Sequence, residues 1–289
     1  DMTLAEIQRL MKEAKQEGYV DSILWGGEPL LRQDFAEICK QSHDLGWYTK
    51  MATNGYFLEQ NPDFGKYTDI AFVSLDAIGD KHDEIRKMPG LYNRVVNGIE
   101  YHKKHSPKMR IYICCTVSAV NDFEQLKEVA KFCQDTDILL YFTVNKSNQD
   151  FHEWQGKDYL KKLELETDAL AETFIKIKEL KKAGYPIRNS DYFMDYIINK
   201  QNYYECHWPQ VATVIYSNGD LLKCTDRKPF LNVRNRPFGE ALRSKEFIEV
   251  ANACKDCKLA CVGNYALDVS GLWRFDWPAI KSLAQIAIT

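Results

Sequence analysis

An α/β fold built on parallel strands follows from three observations in the 289-residue sequence. Short strand-like runs recur at 22–25, 47–52, 69–75, 109–117 and 137–144, each separated from the next by a helical pattern or by enough chain for a crossover. Helix-capping signatures stand where a strand's outgoing loop should enter a helix, at Asp34 with Glu37 and at Asn121 with Glu124. Five of the nine cysteines crowd into residues 206–261, beyond the alternating region, and mark a small separate tail. Strands alternating with helices pair in parallel through right-handed crossovers.

The elements follow in order. Thr3 and Glu6 form a capping box, and Leu4, Ile7, Leu10, Met11 and Ala14 recur at helical spacing behind it, so the sequence opens on a helix. A helix in first place in a β/α series calls for a strand and loop ahead of it. After the fifth strand-like run, residues 151–205 read as a bridge, in which Leu170, Phe174, Ile177 and Leu180 form one stripe of a long amphipathic helix ending near Gly184 and Pro186. Tyr192, Phe193, Tyr196, Tyr203 and Tyr204 then read as anchors of the tail. In the tail, the stretch from Val211 to Cys224 reads as a two-stranded hairpin turning at Ser217, Asn218, Gly219 and Asp220.

Composition narrows the classes. Lys and Arg number 38 against 41 for Asp and Glu, a balance without the footprint of a nucleic-acid binder; the cluster Lys103, Lys104, His105, Lys108 and Arg110 reads as a solvated loop. No run of about 18 apolar residues predicts a membrane span, and a cytoplasmic location is the expectation. Cys39, Cys114, Cys115 and Cys133 sit in apolar strand or helix patterns, where a small buried thiol is the plain reading.

The chemistry gathers at strand ends, where parallel α/β sheets bind ligands. The first strand runs out into Gly26, Gly27 and Glu28: either a plain turn with a solvated acid, or bare backbone that a ligand approaches beside a carboxylate that grips a cation such as an α-ammonium group. The second ends in Thr53, Asn54 and Gly55, which shape a turn or join a ligand shell; the third ends in Ser74 and Asp76. Arg86 either pairs with Asp83 on a helix surface or belongs to the same rim. In the tail, Cys206 and Cys224 are drawn together by the hairpin, while Cys254 and Cys257 form a C-x2-C knuckle with Cys261 beyond; two such pairs supply four thiolates to one zinc ion or one [4Fe-4S] cluster. His207, beside Cys206, reads as packing or as a support for a ligand.

Taken together, "GGEPLL", the "TNG" strand end, "SLD" with "HDEIR" downstream and the cysteine-rich tail resemble the radical S-adenosylmethionine (SAM) enzymes that carry a C-terminal SPASM or twitch extension. The resemblance implies a partial (β/α)6 TIM-like barrel over 1–150, the helical bridge over 151–205 and a small cysteine-rich α+β domain over 206–289. The family's C-x3-C-x2-C cluster loop is absent from these residues, and its ligands, with the first strand, are expected upstream of residue 1. The resemblance implies that Gly26, Gly27 and Glu28 hold the methionine amino group, that Ser74 and Asp76 contact the ribose or carboxylate, and that Thr53, Asn54 and Arg86 belong to the same shell. It also turns the tail toward one auxiliary [4Fe-4S] cluster on Cys206, Cys224, Cys254 and Cys257, with Cys261 able to replace one of them. The implied activity is reductive cleavage of SAM to a 5′-deoxyadenosyl radical that takes hydrogen from a peptide or small metabolite, with flavodoxin or ferredoxin as reductant. A lipid-acting relative and a non-catalytic zinc or iron-sulfur module are the alternatives.

Overall fold

The computed structural model describes residues 1–144, 158–201, 205–222, 224, 228–252, 268–269, 271–272 and 275–288. In chain order the helices are α1 (Leu4–Gln16), α2 (Phe35–Asp44), α3 (Asp80–Arg86), α4 (Leu91–His105), α5 (Phe123–Asp135), α6 (Thr167–Lys182), α7 (Asp191–Ile198), α8 (Phe238–Leu242), α9 (Lys245–Asn252) and α10 (Trp277–Ile288). The strands are β1 (Asp21–Leu24), β2 (Tyr48–Thr53), β3 (Ile70–Ser74), β4 (Arg110–Val117), β5 (Leu139–Val144), β6 (Val214–Ile215), β7 (Asp220–Leu222) and β8 (Leu231–Asn232). All five strand-like runs of the sequence are strands, in one sheet of order β1-β2-β3-β4-β5, with β6, β7 and β8 in a second, small sheet. The mixed α/β class with a parallel sheet is therefore observed.

The chain divides into two compact units. The first holds Asp1–Cys114 with Ile215–Leu221 and Leu231–Phe247. Its strands pair in parallel, Leu24 opposite Met51, Thr53 opposite Val73 and Ser74 opposite Cys114, so each strand brings its carboxyl end to the same rim. Thr49, Met51 and Thr53 alternate into the core, whereas Lys50 and Ala52 between them stay half-buried, the period of two that a strand with one covered face requires.

Helix α1 begins at the capping box: Thr3 Oγ1 accepts from Glu6 N–H at 3.3 Å, and the Glu6 carboxylate accepts the Thr3 N–H at 2.6 Å. Leu10, Met11 and Ala14 are its buried face, each large apolar side chain contributing about 2 kcal/mol by leaving water. A second stripe, Glu6, Arg9, Glu13 and Glu17, grips the segment 233–243. Arg9 donates to the carbonyls of Val233 and Arg234 at 3.0 and 2.9 Å, and Arg234 donates to Glu6 at 2.7 Å, which with the Thr3 bonds holds the Glu6 carboxyl down at about 2. Glu13 accepts the Phe238 N–H at 2.8 Å, where α8 starts, and Glu17 pairs with Arg243 at 2.8 Å.

The second unit holds Cys115–Val214 with Leu222–Phe230 and Ile248–Thr289. Leu170, Phe174, Ile177 and Leu180 are buried along α6, as the stripe predicts. A feature the sequence does not advertise follows α6. Leu140 of β5 donates to Pro186 O at 2.9 Å, Arg188 donates to Leu140 O at 2.8 Å, and the Asn189 side-chain amide exchanges two hydrogen bonds with the Phe142 backbone at 2.8 and 2.7 Å. Residues 186–189 thus extend the sheet in parallel past β5. Proline is tolerated at the first position of such an edge, where no ladder donor is needed.

Two caps differ from expectation. The capping box of α5 is Asp122 with Gln125, one residue beyond Asn121, whose amide accepts from Ser118 instead. Asp34 precedes α2 but its carboxylate binds Arg32 rather than the helix. The hairpin turn stands as read: Gly219 N–H donates to Tyr216 O at 2.9 Å, with Gly219 at φ 89. Tyr203 and Tyr204 lie outside the described residues.

Candidate ligand site at the strand ends

The end of β1 carries Trp25, Gly26 and Gly27 exposed on the surface. Neither glycine has a positive φ, and a Cβ at either would meet nothing within 4 Å. Packing and backbone conformation do not call for glycine here.

Glu28 comes next, and its carboxylate accepts from three donors, two at the end of β2 and one in its own turn. Oε1 accepts from the Thr53 hydroxyl at 2.7 Å and from the Leu30 N–H at 3.1 Å; Oε2 accepts from the Asn54 N–H at 2.7 Å. A carboxylate offers about four acceptor positions, so one remains among the described residues. Thr53 Oγ1 also accepts the Gly55 N–H at 3.0 Å, and Asn54 Oδ1 accepts the Tyr56 N–H at 2.8 Å. The two polar residues therefore shape the turn and hold Glu28 as well. Gly55, at φ 86, is required: a Cβ would sit 2.6 Å from Val95 Cγ2.

One strand over, Ser74 ends β3 half-buried and Asp76 follows it, almost wholly buried. Arg86, the last residue of α3, donates from Nε to Asp76 Oδ2 at 2.5 Å. The helix-surface pairing with Asp83 does not occur; the Asp83 carboxylate instead accepts the N–H groups of Gly90 and Tyr92, closing the entry to α4. Two residues that the sequence reading left out belong to this cluster. His82 is fully buried, and its Nδ1 accepts the Asp76 N–H at 3.2 Å; burial lowers it to about 4. Cys114, paired with Ser74, is pushed up to about 12, first by burial and then by the Asp76 charge, so it stays a neutral thiol. The i, i+4 spacing of His82 and Arg86, one face of a short helix, is a signal in the sequence that the reading did not use.

Seen as chemistry, the rim offers an anionic group with an acceptor position unused among the described residues (Glu28) and, at the end of α3 and tied to Asp76, a cation (Arg86) whose terminal guanidinium nitrogens hydrogen-bond no other described side chain or backbone. A zwitterionic amino-acid end fits that donor set. Of the tail thiols, Cys206 is buried and Cys224 half-buried, both in the second unit; Cys254, Cys257 and Cys261 lie outside the described residues. His207 Nδ1 lies 3.0 Å from Gln210 Oε1. Among the described residues no group of three or more metal-ligating side chains comes together.

Comparison with known proteins bears on this rim. Residues 1–133 match the model of the Radical SAM superfamily. This is a superfamily of enzymes whose chemistry implies SAM and a [4Fe-4S] cluster. The AdoMet-dependent heme synthase of Methanosarcina barkeri is 30% identical over 156 residues, covering 52% of this chain and 44% of that protein. The S-adenosylmethionine-dependent nucleotide dehydratase of Selenomonas ruminantium is 28% identical over 155 residues, 48% of this chain and 53% of that one. The chain thus spans about half the length of these curated relatives. In fold it is similar to SuiB of Streptococcus suis bound to its precursor peptide SuiA, with TM-score 0.67 at 15% identity, over 90% of this chain and 65% of that chain. SuiB bound to S-adenosylmethionine gives 0.65 over the same shares. No helix among the described residues is long and apolar enough to cross a membrane.

Proposed function

We propose that the chain binds SAM at the ends of β1, β2 and β3 and directs its radical chemistry at a peptide. Glu28 receives the ammonium group at its vacant acceptor position, with Thr53 and Asn54 holding the carboxylate in place. Gly26 and Gly27 leave the backbone bare beside it, which accounts for glycine at two positions where nothing inside the protein demands it. Ser74 and the Asp76–Arg86 pair face the carboxylate and ribose. When bound, the [4Fe-4S] cluster and a reductant such as flavodoxin or ferredoxin supply the electron that splits the sulfonium to a 5′-deoxyadenosyl radical. The observation that carries this reading is the convergence of Glu28, Thr53 and Asn54 from two strand ends.

The tail enters the proposal through its spacing. Cys206 and Cys224, with the knuckle of Cys254 and Cys257 and with Cys261 in reserve, are proposed to hold one auxiliary [4Fe-4S] cluster in a twitch-like segment over 206–289, beyond the barrel of 1–150 and the bridge of 151–205. A peptide is preferred to a small metabolite because the likeness to SuiB runs through 90% of the chain, whereas the heme synthase and dehydratase matches cover 52% and 48%. The test is anaerobic reconstitution of the full-length protein, reduction, and assay of 5′-deoxyadenosine with and without candidate peptides. Formation of 5′-deoxyadenosine supports the radical assignment, and stimulation by peptide supports the substrate class. Iron and sulfide should fall by about one cluster when Cys206 and Cys224 are both changed to alanine; zinc without sulfide overturns the auxiliary cluster.

A further inference from the structure

The parallel ladder between β3 and β4 runs one residue past Ser74, where the Leu75 N–H donates to Cys114 O at 3.1 Å, and then stops. The next N–H, that of Asp76, is buried and needs another acceptor. His82 Nδ1 provides it at 3.2 Å. This acceptance places the ring proton on Nε2, which is buried with no partner among the described residues. Four residues further along the same face of α3, Arg86 reaches back to the carboxylate of that same Asp76. The helix has only seven residues and starts at Gly79 without a side-chain cap. Its first turn and its last are therefore both tied to Asp76, one through the backbone and one through the side chain.

We infer that His82 is a positioning residue: by accepting the Asp76 amide proton it fixes the Asp76 carboxylate, which in turn aims the free end of the Arg86 guanidinium at an anionic group of the bound ligand. The inference rests on the SAM reading of the rim and extends it to a residue that touches no ligand. His82 is fully buried, whereas the Arg86 side chain keeps 32% of its surface, so the histidine acts through the arginine rather than beside it.

The experiment measures SAM affinity of the reconstituted full chain by equilibrium dialysis. His82→Leu keeps apolar bulk and removes the acceptor; it should weaken binding about tenfold, the effect of leaving one buried N–H unpaired. His82→Asn places an amide oxygen near the Nδ1 position and should restore most of the affinity, whereas His82→Gln, whose oxygen falls near Nε2, should not. In an Arg86→Gln background the loss from His82→Leu should vanish, because the two changes break one chain of contacts. Equal affinity of His82→Leu and wild type overturns the inference, as does an undiminished loss in the Arg86→Gln background. Should His82→Leu not fold, the Asn and Gln variants decide alone, and equal affinities for those two overturn it. A wild-type chain that binds no SAM overturns the underlying reading instead.

Discussion

Each unit buries an ionisable group, and burial moves the two in opposite directions along the pH axis. In the first unit the imidazole of His82 is kept neutral, lowered from 6.5 to about 4. In the second the carboxyl of Asp268, buried and hydrogen-bonded by the Ser190 hydroxyl at 2.6 Å, is raised from 3.8 to about 7 by burial against the weaker pull of Ser190 and Lys181. Burial disfavours charge in both, but the uncharged form of one is the base and of the other the acid. As pH falls through 6.5 toward 4, unfolded chain takes up a proton that folded His82 refuses, and the first unit loses stability. The second responds the other way. Its contribution from Asp268 is fully present below 3.8 and is lost as pH rises toward 7. At the proposed site the carboxylates are met by donors instead, three for Glu28 and the Arg86 guanidinium for Asp76.

The largest effect expected from this contrast is on the second unit. Its stability should fall by up to about 1.4 kcal/mol per pH unit between pH 4 and 7, and Asp268→Asn should flatten that slope and raise the melting temperature at pH 8. A slope unchanged in the variant breaks the comparison. Next comes Glu28→Gln, which turns an acceptor-only group into one that presents donors to Thr53 and Asn54. Loss of its charged hydrogen bonds should weaken SAM binding about a hundredfold, or roughly 3 kcal/mol, with little change in the pH response of the second unit. Gly55→Ala forces a Cβ against Val95 at positive φ and should cost about 2 kcal/mol in a urea melt, reporting on the first unit alone. Smallest is Arg9→Ala, about 1 kcal/mol, seen as faster proteolysis within 231–243.

Much of the first unit was legible because its signals are local. Strands β1, β2 and β3 announce themselves by composition, and the Thr3 box needs only residues three apart. What the sequence hides are pairings fixed by register. Thr53 meets Glu28 across 25 positions because β1 and β2 lie in step. Arg86 passes over the nearby Asp83 because that carboxylate is already committed to Gly90 and Tyr92. The α5 cap moved from Asn121 to Asp122 because the Asn121 amide is drawn into the end of β4, donating to Thr116 O. In the second unit the four-residue edge 186–189 carries no period to read, and a proline at its start disguises it.

The stripe on α1 has a consequence for the order in which the chain is made. Its partners stand 224 to 228 residues away in sequence, at Val233 and Arg234. A ribosome that has released α1 must produce most of the remaining polypeptide before Arg9 and Glu6 find what they bind. Closing so long a loop is slow, so docking of that segment should be among the last events of maturation, and a nascent chain arrested before Leu231 would display the helix with its grip empty.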